Sequence, residues 1–225
     1  MLILAEVRMP EGLVLRNPLR TELGRKIISH SIDLIDEIGF ESFTFKKLAT
    51  RMDSNETSLY RYFENKHLLL LFLVVWYWNW VSYLIDYNTK NISDPVKKLN
   101  IILDVFLYAS KENPTVEFVN ESKLFNIIIS ESSKAYHTRD VDTENKNGFF
   151  LNYKGLIKKV ADVIIKIDPK FPYPHSIASN LFEMANNQIF FSEHLPRLTD
   201  VKFKKGNYDE VKRLLEFYVK RMLNL

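Results

Sequence analysis

Residues 68–85, LLLLFLVVWYWNWVSYLI, form an apolar run interrupted only by Asn79 and Ser82. It nearly reaches the roughly 18-residue length at which a helix could span a bilayer. The reading it favours is a helix buried on most of its sides within a helical core, ahead of a membrane anchor. The other constraints agree with helices. Only 6 glycines occur in 225 residues, whereas a sandwich or barrel needs a turn roughly every 8 to 12 residues. Hydrophobic content of 46% with 26% charged residues is that of a folded chain. The length allows one large domain or a small domain attached to a larger one.

Cysteine is absent, which removes disulfides, thiolate catalysis and zinc–cysteine sites together. The opening residues lack the basic start, sustained apolar core and cleavage site of a signal peptide, so 1–18 reads as a loosely ordered leader. A net charge of +3 does not by itself name a polyanionic partner. Between residues 19 and 66 eight basic and eight acidic residues cancel, but they are distributed unevenly. The acids Asp33, Asp36, Glu37 and Glu41 sit together, while the bases collect at the start of one helix, on the next, and around Arg61 and Lys66. Catalysis has no visible foothold: the five histidines are scattered, and neither a phosphate-cradling glycine loop nor a HExxH pair occurs. His30 and Asp33 read as a solvated helix face. No enzyme activity, cofactor or metal is expected.

Leu23, Ile27, Leu34, Ile35 and Ile38 follow helical spacing over 19–38, and Gly39 ends that helix. Thr44 caps a second helix that buries Phe45, Leu48, Ala49 and Met52; after a polar turn, Asn55 caps a third through about residue 63. Helices of two turns are not stable alone, so the three must converge as a helix-turn-helix unit. Asn65 caps a fourth helix to about 88. Further helices are expected over 93–111, 113–135, 148–167 and 174–195, with an exposed loop at 137–147. Asn207 and Glu210 have the spacing of a capping box for a last helix.

On the third helix Leu59 and Phe63 share the inward face. Tyr60 and Arg61 then point away from the core, and Tyr62 lies to the other side. Outward hydroxyls and helix-start amides suit phosphate oxygens, and Arg61 suits a phosphate or a guanine edge. Lys66 adds a further phosphate contact. The plainer alternative packs Tyr60 and Tyr62 against the fourth helix and leaves Arg61 solvated.

The stretch GFESFTFKKLATRMDSNETSLYRYFENKHLLL, residues 39–70, resembles the DNA-binding segment of the TetR family of transcriptional regulators. The resemblance rests on the glycine-aromatic turn, Thr44, the Leu48-Ala49 pair, the Ser58-Leu59-Tyr60 run, Tyr62-Phe63, Lys66 and the leucines that follow. It implies an all-α homodimer with an N-terminal three-helix DNA-binding domain and a larger helical ligand-binding and dimerisation domain. It places Thr44, Thr57, Tyr60, Tyr62 and Lys66 on the DNA backbone and Glu56, Thr57 and Arg61 nearest the bases; Lys46 and Asn55 complete the DNA-facing set. Met52-Asp53-Ser54-Asn55 stands where the family has Ala-Gly-Val-Ser. Asp53 must then take the turn conformation in place of glycine, and Ser54 replaces an apolar anchor. Glu56 suits a cytosine amino group but would repel a phosphate.

The expected organisation is a leader at 1–18, a DNA-binding domain at 19–66 and an effector and dimerisation domain at 67–225. Aromatic residues are dense in the last part, where Trp76, Trp80, Tyr83, Phe106, Tyr108 and Phe125 form either ordinary core or the wall of a pocket for a hydrophobic or aromatic effector. Apolar stripes through Ile177, Leu181, Met184, Ile189 and Phe190 and through Val211, Leu214, Leu215, Tyr218 and Met222 suit a helix pair that meets its twin across a two-fold axis. The expectation is a cytoplasmic, effector-responsive repressor that binds a palindromic duplex operator and no membrane. The alternative is a helical interaction protein of the same fold without tight DNA binding.

Overall fold

The computed structural model describes residues 9–110, 118–202 and 204–225, and among them every regular element is helical. The elements are α1 (Glu22–Ser42), α2 (Phe45–Arg51), α3 (Glu56–Tyr60), α4 (Lys66–Thr89), α5 (Pro95–Tyr108), α6 (Glu121–Glu131), α7 (Val141–Lys146), α8 (Leu151–Ile167), α9 (Pro174–His194) and α10 (Asp209–Met222). They group into two compact units, Met1–Asn79 with Ser110–Asn152, and Trp80–Ala109 with Tyr153–Leu225. The boundary falls inside α4. The expected helix start at residues 113 and 114 lies outside the described residues.

In the first unit, α1 begins where Thr21 Oγ1 accepts the amide of Gly24 at 3.0 Å. Glycine is required there because a Cβ would overlap the backbone of Pro18. At Gly39 the backbone turns to φ +73°, breaking the helix before a last turn that ends at Phe43. The run at the start of α4 is core: every residue from Leu69 to Trp78 is at most 1% exposed. Phe63 meets Phe72 edge-on, Tyr77 lies beside Phe125, and Trp78 contacts Tyr136 and Phe150. Helix α4 is long and apolar enough to cross a membrane, and most of its apolar window is buried within the protein.

The described part of the leader is anchored. Leu13 is fully buried, the Leu15 amide donates to the Tyr62 carbonyl at 2.9 Å, and Asn17 caps a 3-10 turn at Pro18–Arg20. The stretch 137–147 differs from the exposed loop expected of it. It contains α7, whose Glu144 is buried and sits 2.6 Å from His67 Nε2. This contact ties a segment with almost no apolar content to α4.

The second unit packs α5, α9 and α10 together. Asp94 caps α5 by accepting the amides of Val96 and Lys97, and Phe106 meets Phe182 edge-on. The expected capping box at α10 does not form. Glu210 instead accepts the Lys202 amide at 2.8 Å, and Asn207 accepts the amide of Asp209. The carboxylate that would have reached back along its own helix is held by the preceding loop.

Candidate nucleic-acid interface

The turn between α2 and α3 sets the geometry of the site. Thr44 opens α2 by accepting the Lys47 amide at 3.2 Å. At the other end Asp53 takes φ +49°, its amide donates to Thr50, and the Ser54 amide donates to Ala49 at 2.9 Å. These two bonds are the Schellman closure, built on aspartate rather than glycine. Asn55 Oδ1 then accepts both the amide and the hydroxyl of Ser58, at 2.9 and 3.0 Å, and starts α3. Ser54 therefore needs no apolar anchor; its backbone supplies the closure.

Helix α3 is only five residues long, shorter than its sequence spacing predicts. It is held by Leu59 and Phe63, both fully buried. Burial of two such side chains stabilises by roughly 1.5–3 kcal/mol each relative to exposure, which a helix this short requires. Thr44, Lys46, Asn55, Thr57, Tyr60 and Arg61 are exposed, and Glu56 is half-buried. Tyr60 rests one edge against Phe45, with ring centroids 5.0 Å apart, and remains 47% exposed.

Two members of the expected DNA-facing set occupy other positions in the structure. The Tyr62 side chain is 1% exposed, its hydroxyl lies 2.8 Å from Thr21 Oγ1, and the Arg16 guanidinium covers its ring at 5.5 Å. Lys66 donates to the carbonyls of Phe40, Glu41 and Phe43 at 3.1, 3.1 and 3.2 Å and lies over the Phe40 ring. The break at Gly39 is the physical reason: it turns the last carbonyls of α1 outward, and an ammonium answers several acceptors at once. Both residues brace the head from inside. Arg16, which sequence reasoning did not single out, had no signal beyond its charge.

The cancelling charges separate in space. Lys123 reaches Asp33 at 2.5 Å, Asn126 donates to Asp36, Arg51 reaches Glu37 and Lys134 reaches Glu41 at 3.0 Å. Lys134 also pairs with Glu131, whose other oxygen accepts the Phe40 amide. The hydrogen bond from Lys134 holds the Glu41 carboxyl below the usual glutamate range, and the bond to Asp33 raises the Lys123 ammonium. All four acids of the α1 cluster are thus engaged. Among the described residues no carboxylate lies within ion-pair distance of Lys46 or Arg61.

The six aromatic candidates divide between the units. In the first, Trp76 and Phe125 are buried. In the second, the Trp80 indole donates to the Ala109 carbonyl at 3.0 Å and stacks on Tyr83, while Phe106 packs on Phe182. The Tyr108 hydroxyl donates to Asp209 at 2.8 Å and accepts the Tyr208 amide at 3.1 Å. A cleft of about 580 Å³ lies elsewhere in this unit, lined by Ile177, Leu181, Met184 and Phe191 of α9 and by Tyr218 and Met222 of α10. Most of these belong to the stripes that the sequence assigned to self-association. The described residues contain no cluster of three or more histidines and carboxylates suited to a metal ion.

The fold and the exposed flank of α3 define a class: an all-α protein with an N-terminal helix-turn-helix. Residues 27–71 match the family model described as bacterial regulatory proteins, tetR family. The matched segment spans the helix-turn-helix head and the start of α4. Among solved structures it is similar to AibR in complex with isovaleryl coenzyme A and operator DNA, with a TM-score of 0.57 and 14% identity over 88% of this chain and 97% of that one. Apo AibR gives 0.53 and 14% over 88% and 96%. At that identity the likeness is one of fold. No curated protein matches the chain.

Proposed function

We propose that the protein is a dimeric, effector-responsive transcriptional regulator that represses by binding a palindromic operator, with residues 19–66 as the reading domain and 67–225 as the effector and dimerisation domain. One observation carries the reading: α3 turns Thr57, Tyr60 and Arg61 to solvent while Leu59 and Phe63 lock it to the head. A helix so fixed presents hydroxyls and a guanidinium to the major groove, with Thr44, Lys46 and Asn55 bordering it on the phosphates. In this reading Tyr62 and Lys66 set the angle of α3 and make no direct contact. The engagement of all four α1 acids by Lys123, Asn126, Arg51 and Lys134 supports it, because it leaves Lys46 and Arg61 without a carboxylate partner among the described residues.

The cleft between α9 and α10 supports self-association there. Tyr218 and Met222 are 40% and 47% exposed, and Phe191 and Met184 are half-buried. A second copy covering them forms a four-helix seam, and the two-fold symmetry of such a dimer suits a palindromic site. Within the second unit, Trp80, Tyr83, Phe106 and Tyr108 are the proposed contacts of a small hydrophobic or aromatic effector. The fold's likeness to an acyl-CoA-bound, operator-bound protein supports that class of regulator. Effector binding shifts the spacing of the heads by no more than its differential affinity for the two states. Such a protein works in the cytoplasm, on DNA, with no membrane attachment and no catalytic step of its own.

The test is retention of genomic DNA fragments by the purified protein, followed by a salt titration of the retained fragment. Duplex binding that weakens steeply with salt supports the reading, because each neutralised phosphate releases counterions. A second reading, a helical interaction protein without tight DNA binding, is favoured by the Glu56 carboxylate at the start of α3. Salt-independent or undetectable DNA binding selects it.

A further inference from the structure

The arm at residues 9–17 lies against the far end of the reading element. It is fastened on both sides of Arg16: before it by the burial of Leu13 and the bond from the Leu15 amide to the Tyr62 carbonyl, and after it by Asn17, which accepts the Leu19 amide at 2.9 Å. The Leu19 carbonyl in turn accepts from Arg25 Nε at 2.9 Å. Between these anchors the Arg16 guanidinium stacks on the Tyr62 ring, next in sequence to exposed Arg61.

Stacking on an aromatic face leaves the edge N–H donors of a guanidinium free. Among the described residues nothing accepts them; no carboxylate pairs with Arg16, Arg20 or Arg61, whereas Lys26, Arg51, Lys123 and Lys134 all have acidic partners. A guanidinium held on an aromatic platform without a counter-charge is well placed to meet a polyanion.

We propose that Arg16 is a DNA-contacting residue that neutralises a phosphate beside the segment read by α3, extending the footprint beyond the helix-turn-helix. The inference rests on the reading of the head as a DNA-binding surface. Tyr62 is then the platform that orients the contact from below, which accounts for its burial under the arm.

The test measures binding of the full-length protein, Arg16→Ala, Arg16→Lys and Arg61→Ala to a mixed-sequence duplex over a salt series. For Arg16→Ala the slope of log affinity against log salt becomes shallower by about 0.9 per protomer, so the deficit relative to wild type grows about eightfold per bound protomer for each tenfold dilution of salt. Arg16→Lys keeps the wild-type slope. An Arg16→Ala line parallel to wild type, at the same or at lower affinity, overturns the inference even where Arg61→Ala weakens binding, because a purely structural loss lowers affinity without removing a neutralised phosphate. Wild-type protein that binds no duplex overturns both the inference and the reading beneath it.

Discussion

The amide of Ser54 donates to the carbonyl of Ala49 at 2.9 Å, and this bond closes α2 onto the turn that launches α3. It forms because Asp53 accepts a left-handed backbone at φ +49°. A non-glycine residue there carries a cost of about 1–2 kcal/mol. Asp53→Gly is therefore expected to stabilise the protein by about 0.5–1 kcal/mol in urea unfolding, and Asp53→Val to destabilise it by about 1 kcal/mol or more. A destabilised Asp53→Gly protein would contradict this account of the turn.

Lys66 distinguishes a brace from a phosphate contact. Its ammonium answers three carbonyls at the end of α1, so Lys66→Met strands acceptors at a cost of about 1–3 kcal/mol. The salt slope of DNA binding is expected to stay at the wild-type value. Tyr62→Phe, which removes only the bond to Thr21, is expected to cost about 0.5–1.5 kcal/mol. Chemical denaturation measures both, and a Lys66→Met protein of unchanged stability with a shallower salt slope would restore Lys66 to the DNA.

The ion pairs that tie α1 to α6 and to the 3-10 turn at Ser132–Ala135 give stability a defined pH window. Glu41 titrates below the usual glutamate range because Lys134 bonds to it, so its contribution is present above the ordinary carboxyl pKa and fades as pH falls through the lowered value. Lys123, raised first by its bond to Asp33, and Lys134, raised first by its bond to Glu131, contribute below the ordinary lysine pKa and fade as pH climbs through their raised values. Melting temperature is expected to form a plateau over the neutral range and to fall on both sides. Lys134→Met lowers the plateau and flattens the acid limb; an acid limb identical to wild type would remove the Glu41 contact from the account.

Self-association is tested at the cleft of α9 and α10. Tyr218→Asp with Met222→Glu places two carboxylates where apolar side chains are proposed to meet their twins. Sedimentation is expected to give a dimer for wild type and a folded monomer for the double variant. A wild-type monomer at high concentration would remove the seam.

Much of the head was legible because its signals are local. Thr44, Asn55 and Asn65 cap as their spacing predicts, Gly39 breaks α1, and Leu59 with Phe63 fills the core. What stayed hidden depends on partners distant in sequence. Glu144 ties α7 to His67, 77 positions away; Lys66 finds carbonyls exposed by a helix break; Tyr62 is covered by an arm that the sequence marks only as a loosely ordered leader. Glu210 shows the same limit from the other side, since a capping spacing does not reveal that Lys202 competes for the carboxylate. Amphipathic stripes marked the α9–α10 face, whereas aromatic density alone did not separate core from binding wall.

The central claim is that the outward flank of α3 reads DNA. Its most direct test is the affinity of Tyr60→Ala/Arg61→Ala for the genomic fragment retained by wild type, with oligomeric mass and melting temperature measured on the same samples. A loss of roughly tenfold or more, at unchanged mass and stability, is the predicted result, since a single good base or phosphate contact is worth about 1–3 kcal/mol. Wild-type affinity in the double variant would contradict the claim.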